Sequence, residues 1–438
     1  MTLGAHLRGG PYQAYTYGYP HKTAYRTLPS PVPLGDAWAG EDRRNLYLYL
    51  HIPFCEMRCG FCNLFTTVGA PRALEQAYLD ALTRQAHAVR ESLGEAAFSR
   101  IALGGGTPTY LEAADLERVF DLLAEVFGAR PDALPTSVET SPATATPERL
   151  RVLAERGVSR VSIGIQSFVE SEVRSVGRSQ RNTEVRAALE TIRAAGIPAL
   201  NLDLIYGLAH QTPDTWRHSL REALRWSPEE LFLYPLYVRP LTGIGRLGRT
   251  WDDERLELYR LGREELLGHG YVQTSMRRFQ KASLPLASEP EYTCQLDGMV
   301  GLGCGARSYT RGLHYSSEYA VGATGVREIL HDFVARPSGT FAQATHGIRL
   351  GEDEQRRRFL LQSLLHVSGL ALPLYRETFG TAALDDFPQL RELTEHGLAR
   401  LGSEALTLTP AGLELSDAIG PWLYSPAVQK LGAEYAWR

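Results

Sequence analysis

The sequence predicts an α/β protein built on a partial (βα)6 barrel of the TIM type, preceded by an N-terminal arm and followed by a helical, winged-helix-like module. Three observations carry this reading. Between about residues 45 and 270, six short apolar runs alternate with longer segments of helical period, the pattern of repeated βα units around a parallel sheet. Each segment that carries candidate chemistry falls just after one of those runs, at the end of a βα barrel where loops converge on one site. After about residue 350 the pattern changes to helices followed by a short strand-like run. The expected division is 1–44 arm, 45–270 barrel, 271–345 barrel extension and 346–438 C-terminal module.

Residues 11–26, PYQAYTYGYPHKTAYR, are dense in tyrosine and poor in aliphatics. They support neither an amphipathic helix nor a core strand, and are expected to lie as an arm on another surface. The following LPSPVPLGDAW reads as a proline-rich spacer, with the fold proper beginning near Asn45. Strands are predicted at 46–52, 100–103, 137–140, 160–165, 199–205 and 231–237. Between the last two, Thr212 followed by Pro213 and Asp214 is a helix start, with a capping hydroxyl, proline at the first helical position and an acid near the positive end. Trp216, Leu220, Ala223 and Leu224 then make one apolar stripe. Residues 271–345 are less regular, and the run GLGCGA at 301–306 points to close backbone packing or a ligand's approach. Beyond them, helical patterns at 353–366 and 389–396, the second ended by Gly397, precede the strand-like LTLT at 406–409 and a helix opened by Pro410. No basic recognition helix stands out in this module, so DNA binding is not expected of it.

With 438 residues the chain can bury a large core. A net charge of −4 gives no reason to expect nucleic acid or an anionic membrane as partner. No apolar stretch approaches the roughly 18 residues of a spanning helix, and the opening MTLGAHLRGG lacks the layout of a signal peptide. A cytoplasmic location is therefore expected. Five cysteines, three of them within eight residues, are a poor basis for a disulfide framework.

Those three, Cys55, Cys59 and Cys62, form a C-x3-C-x2-C loop after the first strand. Thiolates are the natural ligands of iron–sulfur clusters, which normally take four cysteines. Three ligands without a fourth leave one iron of a [4Fe–4S] cluster open to chelate the amino and carboxylate groups of S-adenosylmethionine (SAM). A structural zinc site is the competing reading; it needs four ligands, and His51, four residues before Cys55 at a strand end, is awkwardly placed to be the fourth. Cys294 and Cys304 stand apart and read as small core residues.

The spacing, with the aromatic Phe61 directly before Cys62, resembles the hallmark of the radical SAM superfamily. The run Tyr49-Leu-His-Ile-Pro-Phe-Cys55 narrows the resemblance to the oxygen-independent coproporphyrinogen III oxidase family. The likeness spans roughly residues 12–425, through Gly104-Gly-Gly-Thr-Pro-Thr109, Glu139-Thr-Ser-Pro142, Ser162-Ile-Gly-Ile-Gln166-Ser-Phe168, Gly177-Arg178 and Asn201-Leu-Asp203-Leu-Ile205-Tyr-Gly207-Leu208. It implies that Cys55, Cys59 and Cys62 hold the cluster. It further implies that one or two SAM molecules contact Tyr49, Phe61, Gly105, Gly106, Thr107, Glu139, Gln166, Arg178 and Asp203. The chemistry of these side chains agrees: Glu139 and Asp203 accept hydrogen bonds from amino or hydroxyl groups, Gln166 accepts or donates, and Arg178 pairs with a carboxylate. Each is equally a candidate for a structural ion pair or for strand packing.

Three reactions stay open. The first is oxidative decarboxylation of coproporphyrinogen III propionates, fed by a flavodoxin or ferredoxin electron donor; Tyr15-Thr-Tyr-Gly-Tyr19-Pro20 resembles the arm of such oxidases. They often carry a further cysteine just beyond the third, where this chain has Asn63-Leu64-Phe65. The second is a methylase or other radical modifying enzyme acting on a small molecule or peptide. The third is a haem-binding chaperone, although its H-N-x-x-Y-W motif is replaced here by Cys294-Gln-Leu-Asp-Gly-Met-Val.

Overall fold

The computed structural model describes residues 2–238, 240–245, 254–284 and 293–437. All six predicted strands are present, as Leu46–Ile52, Phe98–Gly105, Thr136–Thr140, Arg160–Gln166, Ala199–Tyr206 and Glu230–Pro235. They lie side by side in chain order, each parallel to the next. The connecting helices Arg72–Leu93, Ala113–Phe127, Pro147–Glu155, Asn182–Ala194 and Pro213–Arg225 complete a partial (βα)6 barrel.

The last of these helices shows why the sequence folds this way. The Thr212 hydroxyl accepts from the Thr215 N–H at 3.2 Å and Pro213 occupies the first turn. Trp216, Leu220 and Ala223 are buried against the sheet, with Leu224 partly so. Full burial of a leucine-sized side chain contributes roughly 1.5–3 kcal/mol, enough for three such residues to fix the helix on the barrel.

The sheet does not stop at six strands. Met299–Leu302 adds in parallel beside Leu46–Ile52, and Arg307–Tyr309, Leu313–Ser316 and Gln343–Arg349 follow antiparallel. Arg278–Lys281 and Tyr271–Gln273 extend the other side, and with Arg26–Pro33 at the far edge the sheet has thirteen strands among the described residues. The glycine run predicted to mark close packing does so: a Cβ on Gly301 would lie 2.2 Å from the Arg307 carbonyl oxygen.

The proline-rich segment read as a spacer is a strand. Arg26–Pro33 forms the outer edge of the sheet, antiparallel to Gln343–Arg349, with a register irregularity between Thr27 and Val32. An edge strand needs only one row of ladder bonds, so Pro29, Pro31 and Pro33 are tolerated there. The helix Leu34–Trp38 follows and buries Trp38, so regular structure begins well before Asn45.

The C-terminal segment has its own apolar cluster around Phe359, Leu364, Tyr375 and Leu406. Its three short strands, Leu370–Ala371, Ala405–Leu408 and Ala399–Leu401, pair in that order beside the helices Glu352–Leu364 and Leu390–Glu395. It is joined to the barrel by a buried ion pair between Arg277 and Asp417 and by Arg260 with Glu414 at 2.5 Å. The tyrosine-rich arm runs across this junction: the Gln13 and Ala14 N–H groups donate to the Asp417 carbonyl and Tyr12 reaches the Tyr206 hydroxyl. No helix among the described residues is long and apolar enough to cross a membrane.

Candidate metal centre and active site

The three clustered cysteines lie on the loop that leaves the first barrel strand, and that loop is pinned from several directions. Its start pairs with Thr67–Val68, and the Thr67 N–H donates to the Pro53 carbonyl at 2.7 Å. In mid-loop the Gly60 N–H donates to the Val176 carbonyl at 2.6 Å, while the Gly60 carbonyl accepts from the Ile244 N–H at 2.9 Å. Arg58 donates to the Val321 carbonyl, and the Tyr319 hydroxyl donates to the Asn63 carbonyl at 2.6 Å.

The Gly104–Gly106 turn ends the second strand and lies directly against this loop. The Gly106 N–H donates to the Ile52 carbonyl at 2.7 Å and the Thr107 N–H to the Phe54 carbonyl at 2.8 Å. A Cβ on Gly106 would stand 2.5 Å from the Phe54 carbonyl oxygen, so only glycine lets the two backbones meet.

Two predicted residues reach the thiols themselves. The Thr107 hydroxyl stands 3.6 Å from Cys55 Sγ and 3.3 Å from Glu56 Oε2. Arg178 directs Nη1 to Cys59 Sγ at 3.3 Å, with Nη2 on the Gly164 carbonyl and Nε on Gln180 holding it in place. Burial pushes the Cys55 thiol up to about 12, opposed by the Thr107 hydroxyl, and raises Cys62 as well. All three cysteines are free thiols.

The donor set fits an iron–sulfur cluster. Three free thiols on one loop are the donor chemistry that iron–sulfur clusters take. His51 is not available as a fourth zinc ligand. Its Nε2 lies 2.8 Å from the Phe65 carbonyl, which can only accept, so Nε2 carries the proton and Nδ1 faces the Tyr49 hydroxyl at 3.3 Å. Burial lowers the ring to about 4 and keeps it neutral. Cys304 is a core residue, as predicted, but Cys294 is not: it lies partly accessible against Gln362.

The remaining predicted residues line the barrel interior or its rim. Glu139 projects into the hollow of the barrel, where water reaches it although protein surrounds it; it accepts from the Gly105 N–H at 3.1 Å. Burial and the neighbouring Asp203 charge raise its carboxyl to about 7. Asp203, also raised by burial, is held by Asn201 at 2.8 Å and Ser162 at 3.3 Å. Gln166 ends the fourth strand with φ 68°, a left-handed conformation unusual for a residue with a side chain, where that strand slips register against the fifth. Phe61 packs with Val176, Ile205, Leu208, Leu236 and Ile244. Tyr49 faces a cavity beside the loop.

Sequence reasoning missed the clamps at Val176, Ile244, Val321 and Tyr319, and the two arginines, Arg307 and Arg358, that border this cavity. Only Gly177, whose φ of 68° marks the turn next to Val176, had left a local signal.

A profile of the radical SAM superfamily matches residues 49–223. Heme chaperone HemW of Bacillus subtilis is 28% identical over 378 residues, covering 85% of this chain and 97% of that protein. The oxygen-independent coproporphyrinogen III oxidase of Cereibacter sphaeroides is 30% identical over 410 residues, covering 86% and 88%. The structure of coproporphyrinogen III oxidase (HemN) from Escherichia coli superposes with a TM-score of 0.78 at 24% identity over 93% of this chain and 96% of that one, a likeness of fold. The loop of three free thiols, the barrel that carries it and these likenesses agree: the chain belongs to the radical SAM superfamily, in the HemN-like family.

Proposed function

We propose that this protein is a radical SAM enzyme in which Cys55, Cys59 and Cys62 hold a [4Fe–4S] cluster, and that it oxidatively decarboxylates propionate side chains of coproporphyrinogen III. The carrying observation is that side chains from two other connections of the barrel, Thr107 just after the second strand and Arg178 beyond the short helix Glu170–Ser175 that follows the fourth, reach two of the three thiols of one loop. When bound and reduced by a flavodoxin or ferredoxin, the cluster and SAM supply a 5′-deoxyadenosyl radical able to abstract hydrogen from an unactivated carbon.

The chain's own residues would bind and orient. Gly105 and Gly106 let the backbone pass close against the loop, and Glu139 and Asp203 offer acceptors for amino and ribose hydroxyl groups. Arg178 supplies a cation for the methionyl carboxylate as well as for the Cys59 thiolate. Gln166 adds an amide at the rim, and Tyr49 and Phe61 contribute apolar surface on either side of the loop. Residues of the arm and of the C-terminal segment border the cavity beside the loop and so narrow the access of water to a radical formed there. Abstraction of a hydrogen atom from the propionate, loss of CO2 and transfer of one electron to an acceptor leave a vinyl group.

The likeness to the Bacillus subtilis haem chaperone favours a second reading, haem binding without SAM turnover. Anaerobic reconstitution with iron and sulfide, followed by incubation with SAM, dithionite and coproporphyrinogen III, separates the two. The oxidase reading expects both 5′-deoxyadenosine and decarboxylated porphyrin. 5′-Deoxyadenosine alone would transfer the reaction to another substrate, such as that of a methylase. Neither product from an intact cluster would leave the chaperone. Cys59→Ala is expected to abolish SAM cleavage, at least a thousandfold, while the circular dichroism of the barrel is retained.

A further inference from the structure

Beside the cysteine loop, between the arm and the strand Arg307–Tyr309, lies a cavity of about 330 Å3. Its walls include Tyr17, Tyr49, Tyr309 and Phe65, with Arg307 and Arg358 behind them. Arg307 is the unusual member. Its guanidinium carbon lies 5.0 Å from the ring centre of Tyr17 and 5.5 Å from that of Tyr309. Its Nη1 is closed off from solvent with no hydrogen-bond partner, and among the described residues no carboxylate pairs with it. Arg358 donates to the carbonyls of Cys294 and Gln295 and stands 5.7 Å from the Tyr309 ring. Glu318, the carboxylate bordering the cavity, is exposed at its rim.

Lys22 lines the cavity as well, over the Tyr319 ring and with Nζ on the Asn63 carbonyl. Three cations among aromatic walls, against the exposed Glu318 carboxylate at the rim, make a site complementary to an acid with an apolar skeleton. We propose that this cavity receives a carboxylate-bearing side chain of the substrate, with Arg307 as the residue that recognises the carboxylate and Arg358 as a second positive charge behind it. The assignment rests on the reading that a substrate sits beside the cysteine loop, since Tyr49, Leu64 and Phe65 place the cavity against that loop.

The test uses the full-length, anaerobically reconstituted protein without reductant. Coproporphyrin III is compared with its tetramethyl ester by fluorescence titration, and 3-phenylpropionate with 3-phenylpropionamide by calorimetry. The expected result is that at least one acid binds tenfold or more tightly than its neutral partner. That preference should fall to near unity in Arg307→Gln and return in part in Arg307→Lys. Arg307→Lys also covers the case in which the glutamine variant fails to fold. Equal binding of acid and neutral forms, a preference that survives in Arg307→Gln, or no binding of either acid would each overturn the assignment. Because no turnover is involved, a protein that selects acids but never releases 5′-deoxyadenosine would fail the proposed reaction alone. Turnover without acid selection would fail this assignment alone.

Discussion

Arg277 and Arg307 are both enclosed by tyrosine rings, yet one is neutralised and the other is not. Arg277, 2% exposed, pairs with the fully buried Asp417 and donates to the Tyr206 hydroxyl at 2.9 Å, with Tyr15 and Tyr259 around it. Arg307 has Tyr17 and Tyr309 around it and, among the described residues, no carboxylate paired with it. The same arm serves both places, Tyr15 at the first and Tyr17 two residues later at the second. At the junction with the C-terminal segment it covers a completed ion pair, which holds the molecule together. At the mouth it covers a charge left open, which is a condition for binding an anion.

The largest expected effect comes from breaking the completed pair. Asp417→Asn keeps the shape and strands Arg277, and removal of one partner from a buried pair costs about 3–5 kcal/mol; the midpoint of urea unfolding should fall accordingly. Next comes the mouth, where close backbone contact replaces charge as the constraint. Gly106→Ala places a methyl group against the Phe54 carbonyl and should cost about 1–3 kcal/mol. Reduced iron per chain after reconstitution would show that the cysteine loop has moved, whereas Asp417→Asn should leave iron content unchanged in the folded fraction.

A smaller effect concerns pH. Burial and Asp203 raise Glu139 from the usual 4.5 to about 7, so the folded state holds a proton that the unfolded chain releases. The stability this gives is present below about 4.5 and lost as pH rises through about 7. Subtracting the unfolding midpoints of Glu139→Gln from those of the native protein between pH 4 and 8 should show that fall. SAM affinity should rise over the same range as the carboxylate becomes a better acceptor, and the rise should vanish in the variant. The last effect completes the contrast by its sign: Arg307→Met removes a charge that has no carboxylate partner among the described residues, so the midpoint of urea unfolding should hold or rise rather than fall as in Asp417→Asn.

The barrel was legible because its strands announce themselves locally. The apolar run at 199–205 and the Thr212-Pro213-Asp214 start need no distant partner to be recognised, and the cysteine spacing sits within eight residues. The edge strand Arg26–Pro33 was hidden because its prolines argue against a strand unless its place at the sheet edge is known, and that place is set by residues 343–349. The clamps on the cysteine loop were hidden for a related reason, since Val176, Ile244 and Val321 act through backbone carbonyls or N–H groups that any residue type carries. Nothing in the residues next to Arg307 marks it as a charge that the fold encloses.

Chain order also sets when the cysteine loop becomes sheltered. Phe98–Gly105 pairs with the first barrel strand soon after it is made, but the contacts over the loop come from residues far downstream: Arg58 meets Val321 across 263 positions and Asn63 meets Tyr319 across 256. Contacts of such separation carry a large closure entropy and form late. During refolding, amide protection should therefore appear in Phe98–Gly105 before Met299–Leu302. For that interval the thiols stand on a half-built barrel open to the surroundings, so the proposed cluster, if assembled then, would meet an open site rather than a covered one.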